Sequence, residues 1–195
     1  VSSGPELPPL SPVLDTLRAH VLEHSVKHGD FVLKSGARST WFLDTKQTAC
    51  RPDGVLAVTA AVLEVFGDVI DRIDAIGGLT MGSDPVAYGV AAVAATEGHR
   101  IRSFSVRKEA KQGGITGRIA GALEPGDRVL VTEDTTTRGT SLIEAVDEIA
   151  AYGATPTWMT VIVDRGGTCA AMAAERGIDY RPLLTAPDLG FGYGT

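Results

Sequence analysis

Short apolar runs bounded by turn residues alternate with segments of helical period along most of this chain, and that alternation restricts the fold more than any other feature. Residues 75–79, 101–106, 128–132, 158–163 and 178–184 read as strands. Between them the pattern predicts helices from Asp84-Pro85 to Glu97-Gly98, from Ser141 to Ala151, and from Ala170 to Arg176, where Gly177 stops the last one. Parallel strands need crossovers of this length, so the succession implies a parallel sheet with helices on both faces. Upstream, Leu10, Leu14, Leu17, Val21 and Val26 roughly share one helical face, and Pro52-Asp53 opens a second helix that ends near Gly67. Residues 31–33 and 40–43 read as a hairpin around Lys34-Ser35-Gly36-Ala37-Arg38, and residues 107–116 as a loop rich in Gly and Lys. The fold class expected is α/β, a central parallel sheet flanked by helices, with an N-terminal hairpin.

A chain of 195 residues fits a single domain, residues 1–195, and no Pro- or Ser-rich linker divides it after residue 12. Residues 1–12 are rich in Pro and Ser without a basic start and apolar stretch, so they read as a loose arm, flexible over 1–9, and not as a secretory signal. No apolar run approaches the ~20 residues of a membrane-spanning helix. Eighteen basic against 24 acidic side chains give a net charge of −6, which opposes sequence-independent binding to nucleic acid. A phosphate site must therefore be local. Cys50 and Cys169 are too few for a disulfide framework and read as small buried hydrophobes, so a reducing cytoplasm is the expected compartment.

The chemistry is concentrated in residues 128–141, where an apolar strand runs into Glu133 and Asp134, then Thr135, Thr136, Thr137, Arg138, Gly139, Thr140 and Ser141, and then a helix. In an open parallel sheet such a loop lies at the carboxyl ends of the strands, and the helix start offers free N–H groups to a phosphate. No lysine precedes the hydroxyl residues, which argues against nucleoside-triphosphate hydrolysis of the P-loop kind. Adjacent carboxylates at a strand end are costly unless cations or hydroxyls meet them, so Glu133 and Asp134 are candidates for holding a ribose. The plainer reading, that Asp134 and Ser141 cap helices and Glu133 is solvated, suits an isolated acid pair but not this order of acids, hydroxyls and glycine.

Residues 128–141 resemble the phosphoribosyl-diphosphate (PRPP) signature of type I phosphoribosyltransferases. Three further segments resemble orotate phosphoribosyltransferases, in the same order: Phe31-Val32-Leu33-Lys34-Ser35-Gly36 with Ser39-Thr40-Trp41-Phe42; Val106-Arg107-Lys108-Glu109-Ala110-Lys111; and Val161-Ile162-Val163-Asp164-Arg165. The likeness runs from about Phe31 to Arg165. It implies the type I phosphoribosyltransferase fold, with transfer from PRPP to orotate, release of diphosphate and formation of orotidine 5′-monophosphate in pyrimidine biosynthesis. It further implies Mg²⁺ bound mainly through PRPP and a homodimer in which a loop lysine reaches the partner's site.

Residue by residue, the resemblance assigns PRPP to Arg107, Lys108, Lys111, Glu133, Asp134, Thr135, Thr136, Thr137, Arg138, Gly139, Thr140 and Ser141. Orotate falls to Lys34, Phe42, Thr137 and Arg165, and catalysis to Lys111, Arg107 and Asp134. The residue chemistry agrees, because three cations within five residues beside Gly113-Gly114 suit a cover for a charged leaving group, and the Arg165 fork suits a carboxylate. The bland alternatives are a solvated basic loop, an ordinary turn lysine at Lys34, and a salt bridge at Arg165. The chain departs from the family at Gly113, where a histidine is usual, at Met81, where many relatives have lysine, and at Glu133, where aspartate is common. The departures at Gly113 and Met81 leave open a PRPP or nucleotide sensor without turnover, and a transferase for another base is distinguished by whether the Lys34 hairpin and Arg165 select a carboxylate. The histidines His20, His24, His28 and His99 sit in no motif, and the segment 186–195 carries no readable signal.

Overall fold

The computed structural model describes residues 7–32, 38–111 and 117–194. Helix α1 (Pro12–His24) starts where the Ser11 side chain accepts the Leu14 N–H, and its buried stripe is Leu17 and Val21. Val26 is not part of that helix. It begins β1 (Val26–Val32), which pairs antiparallel with β2 (Arg38–Leu43), so the expected hairpin forms with a longer first strand. The short helix α2 (Lys46–Ala49), absent from the pattern reading, leads to α3 (Pro52–Val65), with Pro52 in its first turn.

The second sheet contains β3 (Ala75–Leu79), β4 (Arg102–Lys111), β5 (Gly117–Gly121), β6 (Arg128–Thr136), β7 (Thr155–Asp164), β8 (Asp179–Tyr180) and β9 (Leu184–Thr185). Its order is β5-β4-β3-β6-β7-β8, with β9 also on β7, and every pair is parallel except β4 with β5. Helices α4 (Asp84–Thr96), α5 (Thr140–Tyr152) and α6 (Cys169–Glu175) complete the crossovers.

Strand alternation sends neighbouring residues to opposite faces, and two cores result. Ile76, Leu130, Trp158 and Ile162 pack with Leu17, Val21, Val58, Val62, Val86 and Val90 beneath α1, α3 and α4. Ala75, Val129, Val131, Met159 and Val161 pack on the other face with Leu142, Val146, Ile149 and Ala173 of α5 and α6. Helices therefore cover both faces, as the alternation requires.

Several local expectations are corrected. Residues 107–111 are not loop: β4 continues through them because β5 supplies an antiparallel partner, with Val106 opposite Ile119 and Lys111 opposite Gly117. Strand β6 likewise runs four residues past Thr132, since β7 pairs with it as far as Thr136. The single strand expected over 178–184 is two short pieces, β8 and β9, separated by Arg181, Pro182 and Leu183. Cys50 is exposed at the end of α2, whereas Cys169 is buried. Residues 7–12 are not a free arm, because Leu10 packs on the core and the Pro8 carbonyl accepts from Arg18. No helix among the described residues is long and apolar enough to cross a membrane.

Leu130 is fully buried on the central strand. Leu130→Ala should therefore cost about 2–5 kcal/mol, read as a lower urea midpoint at unchanged slope.

Candidate active site

The carboxyl ends of β6 and β7 open into a cavity of about 830 Å³ lined by Thr135 to Ser141, Arg165, and Lys27, Phe31, Val32 and Phe42 of the hairpin. The hairpin thus roofs the sheet edge where parallel topology places a ligand. The floor is one connected turn. Gly139 adopts φ 77°, a left-handed conformation that favours glycine, and caps α5, with its N–H donating to Thr136 Oγ1 at 2.9 Å. Ser141 lies inside the helix and so is not its cap. Thr137, Arg138, Thr140 and Ser141 are exposed around the α5 start, where peptide N–H groups and the helix dipole favour an anion.

Glu133 and Asp134 are buried strand residues immediately before this turn. Lys46 of α2 meets them: its Nζ lies 2.5 Å from Asp134 Oδ2. Thr45, also at the start of α2, bonds through its hydroxyl to that of Thr135. Burial opposes the Lys46 charge, but the hydrogen bond and charge of Asp134 outweigh it and hold the ammonium above its ordinary pKa. Glu133 is pushed up to about 8, by burial first and the Asp134 charge second. Gly82 seats the following loop against this pair: a Cβ there would lie 1.5 Å from Glu133 Oε1. Asp84 anchors that loop to β4, accepting from Thr80 Oγ1 at 2.5 Å and Ser105 Oγ at 2.6 Å. Met81 is exposed on it.

Arg165 is buried at the other side of the cavity, and its guanidinium stands 4.3 Å from the Trp41 ring centroid. Phe191 stacks on the Trp41 ring, with centroids 3.9 Å apart and the ring planes 6° apart. Burial lowers the Arg165 pKa from its ordinary value. The tail is tied to the same strand end, for Gly194 N–H donates to the Arg165 carbonyl at 2.9 Å. Phe42 lies nearby with its ring 5.6 Å from that of Phe31.

Of the residues expected from sequence, Phe42, Thr135, Thr136, Thr137, Arg138, Gly139, Thr140, Ser141 and Arg165 line one cavity. Glu133 and Asp134 stand directly behind it on β6. Arg107 and Lys108 are on β4, two strands from β6, and do not line the cavity. Lys34 and the side chain of Lys111 lie outside the described residues. Lys46, Trp41 as a platform and Phe191 were not found by sequence reasoning. Lys46 meets its partner across 88 residues of chain and carries no local motif, so no periodic or turn signal marks it.

No protein-family model matches the chain. It is 38% identical over 172 residues to the orotate phosphoribosyltransferase of Aquifex aeolicus, across 87% of this chain and 93% of that one. It is 35% identical over 179 residues to that of Streptomyces avermitilis, across 91% and 97% respectively. The chain belongs to the orotate phosphoribosyltransferase family. Among solved structures, the orotate phosphoribosyltransferase of Mycobacterium tuberculosis in complex with Fe(III) dicitrate matches with a TM-score of 0.82 at 32% identity, across 92% of this chain and all of that one. The same Mycobacterium tuberculosis protein in complex with PRPP gives 0.79 at 29% identity, over the same shares. Orotate phosphoribosyltransferase architecture thus accounts for the hairpin, the sheet and the β6–α5 turn together.

The raised Glu133 pKa has a definite sign in stability. Folded protein holds the proton between the ordinary value of 4.5 and about 8, so stability is fully present below 4.5 and declines as pH rises through about 8. Glu133→Gln should remove this component, and its stability advantage in urea unfolding should grow from pH 5 to pH 8.5. A pH-independent difference would contradict the assignment.

Proposed function

We infer that this protein transfers the phosphoribosyl group of PRPP to orotate, breaking the ribose C1–oxygen bond to diphosphate and forming a bond to the pyrimidine nitrogen. The observation that carries the reading is the single cavity in which the Thr135–Ser141 turn, the aromatic hairpin and Arg165 face one another. Each supplies one requirement of the reaction. The N–H groups and hydroxyls from Thr137 to Ser141 take the 5′-phosphate, and Glu133 and Asp134 take the ribose hydroxyls. Thr135 and Thr136 shape the same turn, while Arg138 adds positive charge at its rim.

Arg165 receives the orotate carboxylate as a planar two-pronged donor, with Thr137, Phe42 and Lys34 completing the base pocket. Arg107, Lys108 and Lys111 cover the diphosphate as negative charge develops on it. Catalysis is then positioning and electrostatics, with no side-chain nucleophile. Lys46 has a place in this scheme, since it neutralises Asp134 before the sugar arrives. Mg²⁺ comes with PRPP, held mainly by its oxygens, and supplies charge neutralisation of the diphosphate. The oxygen-only character of Glu133 and Asp134 suits such a hard cation beside the ribose.

We further propose that residues 1–195 act as one phosphoribosyltransferase unit in a reducing cytoplasm, as a two-fold homodimer in which Lys111 reaches the partner's site. Both cysteines are free, which agrees with that compartment.

The first test mixes protein, PRPP, Mg²⁺ and orotate and follows loss of orotate absorbance, with uracil, adenine and hypoxanthine in parallel. Consumption of orotate alone is expected. Silence with every base, alongside PRPP binding by calorimetry, would convert the reading to a sensor. Lys111→Ala should lower kcat far more than PRPP affinity, because the cations matter most as the leaving group gains charge. Arg165→Lys should raise the orotate KM by about tenfold or more while sparing that for PRPP, because the fork is lost at a stacked site. Phe191→Ala should raise the same constant to a smaller extent, through loss of support for Trp41.

A further inference from the structure

Away from the cavity, His20 and His24 stand one turn apart on α1 and meet Asp53 in the first turn of α3. One donor atom from each lies within 4.8 Å of the others. The imidazole rings are tilted by 57° with centroids 4.5 Å apart, and His20 Nε2 is 3.4 Å from Asp53 Oδ1. Four donors around a tetrahedral zinc, each at about 2.0–2.1 Å, are separated by about 3.3 Å, so this edge already matches.

His20 is held for the purpose. Its Nδ1 bonds to the Thr48 hydroxyl at 3.1 Å, and that hydroxyl in turn bonds to Ser25 Oγ at 2.7 Å. The Thr48 hydroxyl can accept from Nδ1–H as well as donate to Nδ1, and in the first arrangement Nε2 is left with its lone pair toward His24 and Asp53, the tautomer a metal requires. Nε2 is buried, and the Asp53 carboxylate at 3.4 Å faces it without making a well-formed hydrogen bond, so a cation could sit between the two. Backbone packing fixes the ring further: a Cβ on Gly54 would lie 2.8 Å from His20 Cε1. On the solvent side Asp53 is exposed, and Glu23 Oε1 lies 3.8 Å from His24 Nε2.

We propose that His20, His24 and Asp53 bind one divalent transition cation of the zinc class, with water or Glu23 in the fourth position. Two imidazoles and a carboxylate favour zinc or its neighbours over Mg²⁺, which prefers an all-oxygen shell. Bound there, the cation joins α1 to α3. Through Thr48 it also braces α2, the helix that carries Lys46 to Asp134. None of the three ligands lines the cavity, so the proposal stands independently of the acceptor base.

The test is calorimetric titration of Zn²⁺ into the full chain without PRPP, using wild type, Cys50→Ser to remove the exposed thiol, His24→Ala and Asp53→Asn. Co²⁺ absorption reports ligand geometry in parallel. One equivalent should bind wild type and Cys50→Ser alike, raise Tm, and give the intense visible bands of four-coordinate Co²⁺. His24→Ala and Asp53→Asn, both at partly exposed positions, should keep the metal-free Tm and weaken Zn²⁺ binding by at least about tenfold. The proposal is overturned if wild type binds no stoichiometric Zn²⁺, if affinity survives both substitutions, or if Co²⁺ remains octahedral.

Discussion

Two carboxylates buried side by side at the end of the central strand constrain everything around them. Glu133 and Asp134 lose water because β7 continues alongside this end of β6 and the backbone at Gly82 closes against both carboxylates. Their mutual repulsion is met by holding Glu133 protonated to about pH 8 and by bringing Lys46 onto Asp134. Helix α2 exists where it does in part to deliver that lysine and the Thr45 hydroxyl. The pair is thus held close to neutral by a proton and an ammonium group, and its oxygens stay in place behind the turn.

The sheet and its crossovers were largely legible because their signals are local. Ala75–Leu79 matches its apolar run, and α4, α5 and α6 begin and end within a residue or two of their caps. Where the reading failed, pairing was decisive. Arg107 and Lys108 look like loop residues, being polar and near glycines, yet the antiparallel return of β5 draws them into a ladder. Glu133 and Asp134 read as the end of the strand, yet pairing with β7 carries β6 on through Thr135 and Thr136. Polarity at a strand end says nothing about whether a neighbour waits alongside.

The functional residues divide along the same line. Those in the Thr135–Ser141 turn are contiguous and carry their order with them, so the sequence exposes them as a group. Arg165 was legible only through resemblance, and its platform was not legible at all. Trp41 lies in a hairpin, Phe191 in a Gly-rich tail, and only the folded chain stacks them against a guanidinium.

That stack has a kinetic meaning. The Thr135–Ser141 turn is built from one segment and the strand beside it, whereas the Trp41–Phe191 stack needs residues about 150 positions apart to meet, a loop closure whose entropy must be met before any stacking is gained. This side of the cavity is therefore the part with the least local encoding. Trp41 is also a member of the core beneath α1, α3 and α4, and Phe191 packs against it, so loosening the stack loosens that core too. A disturbance at the stack therefore reaches the helices on one face of the sheet, while the core beneath α5 and α6 has no part in it.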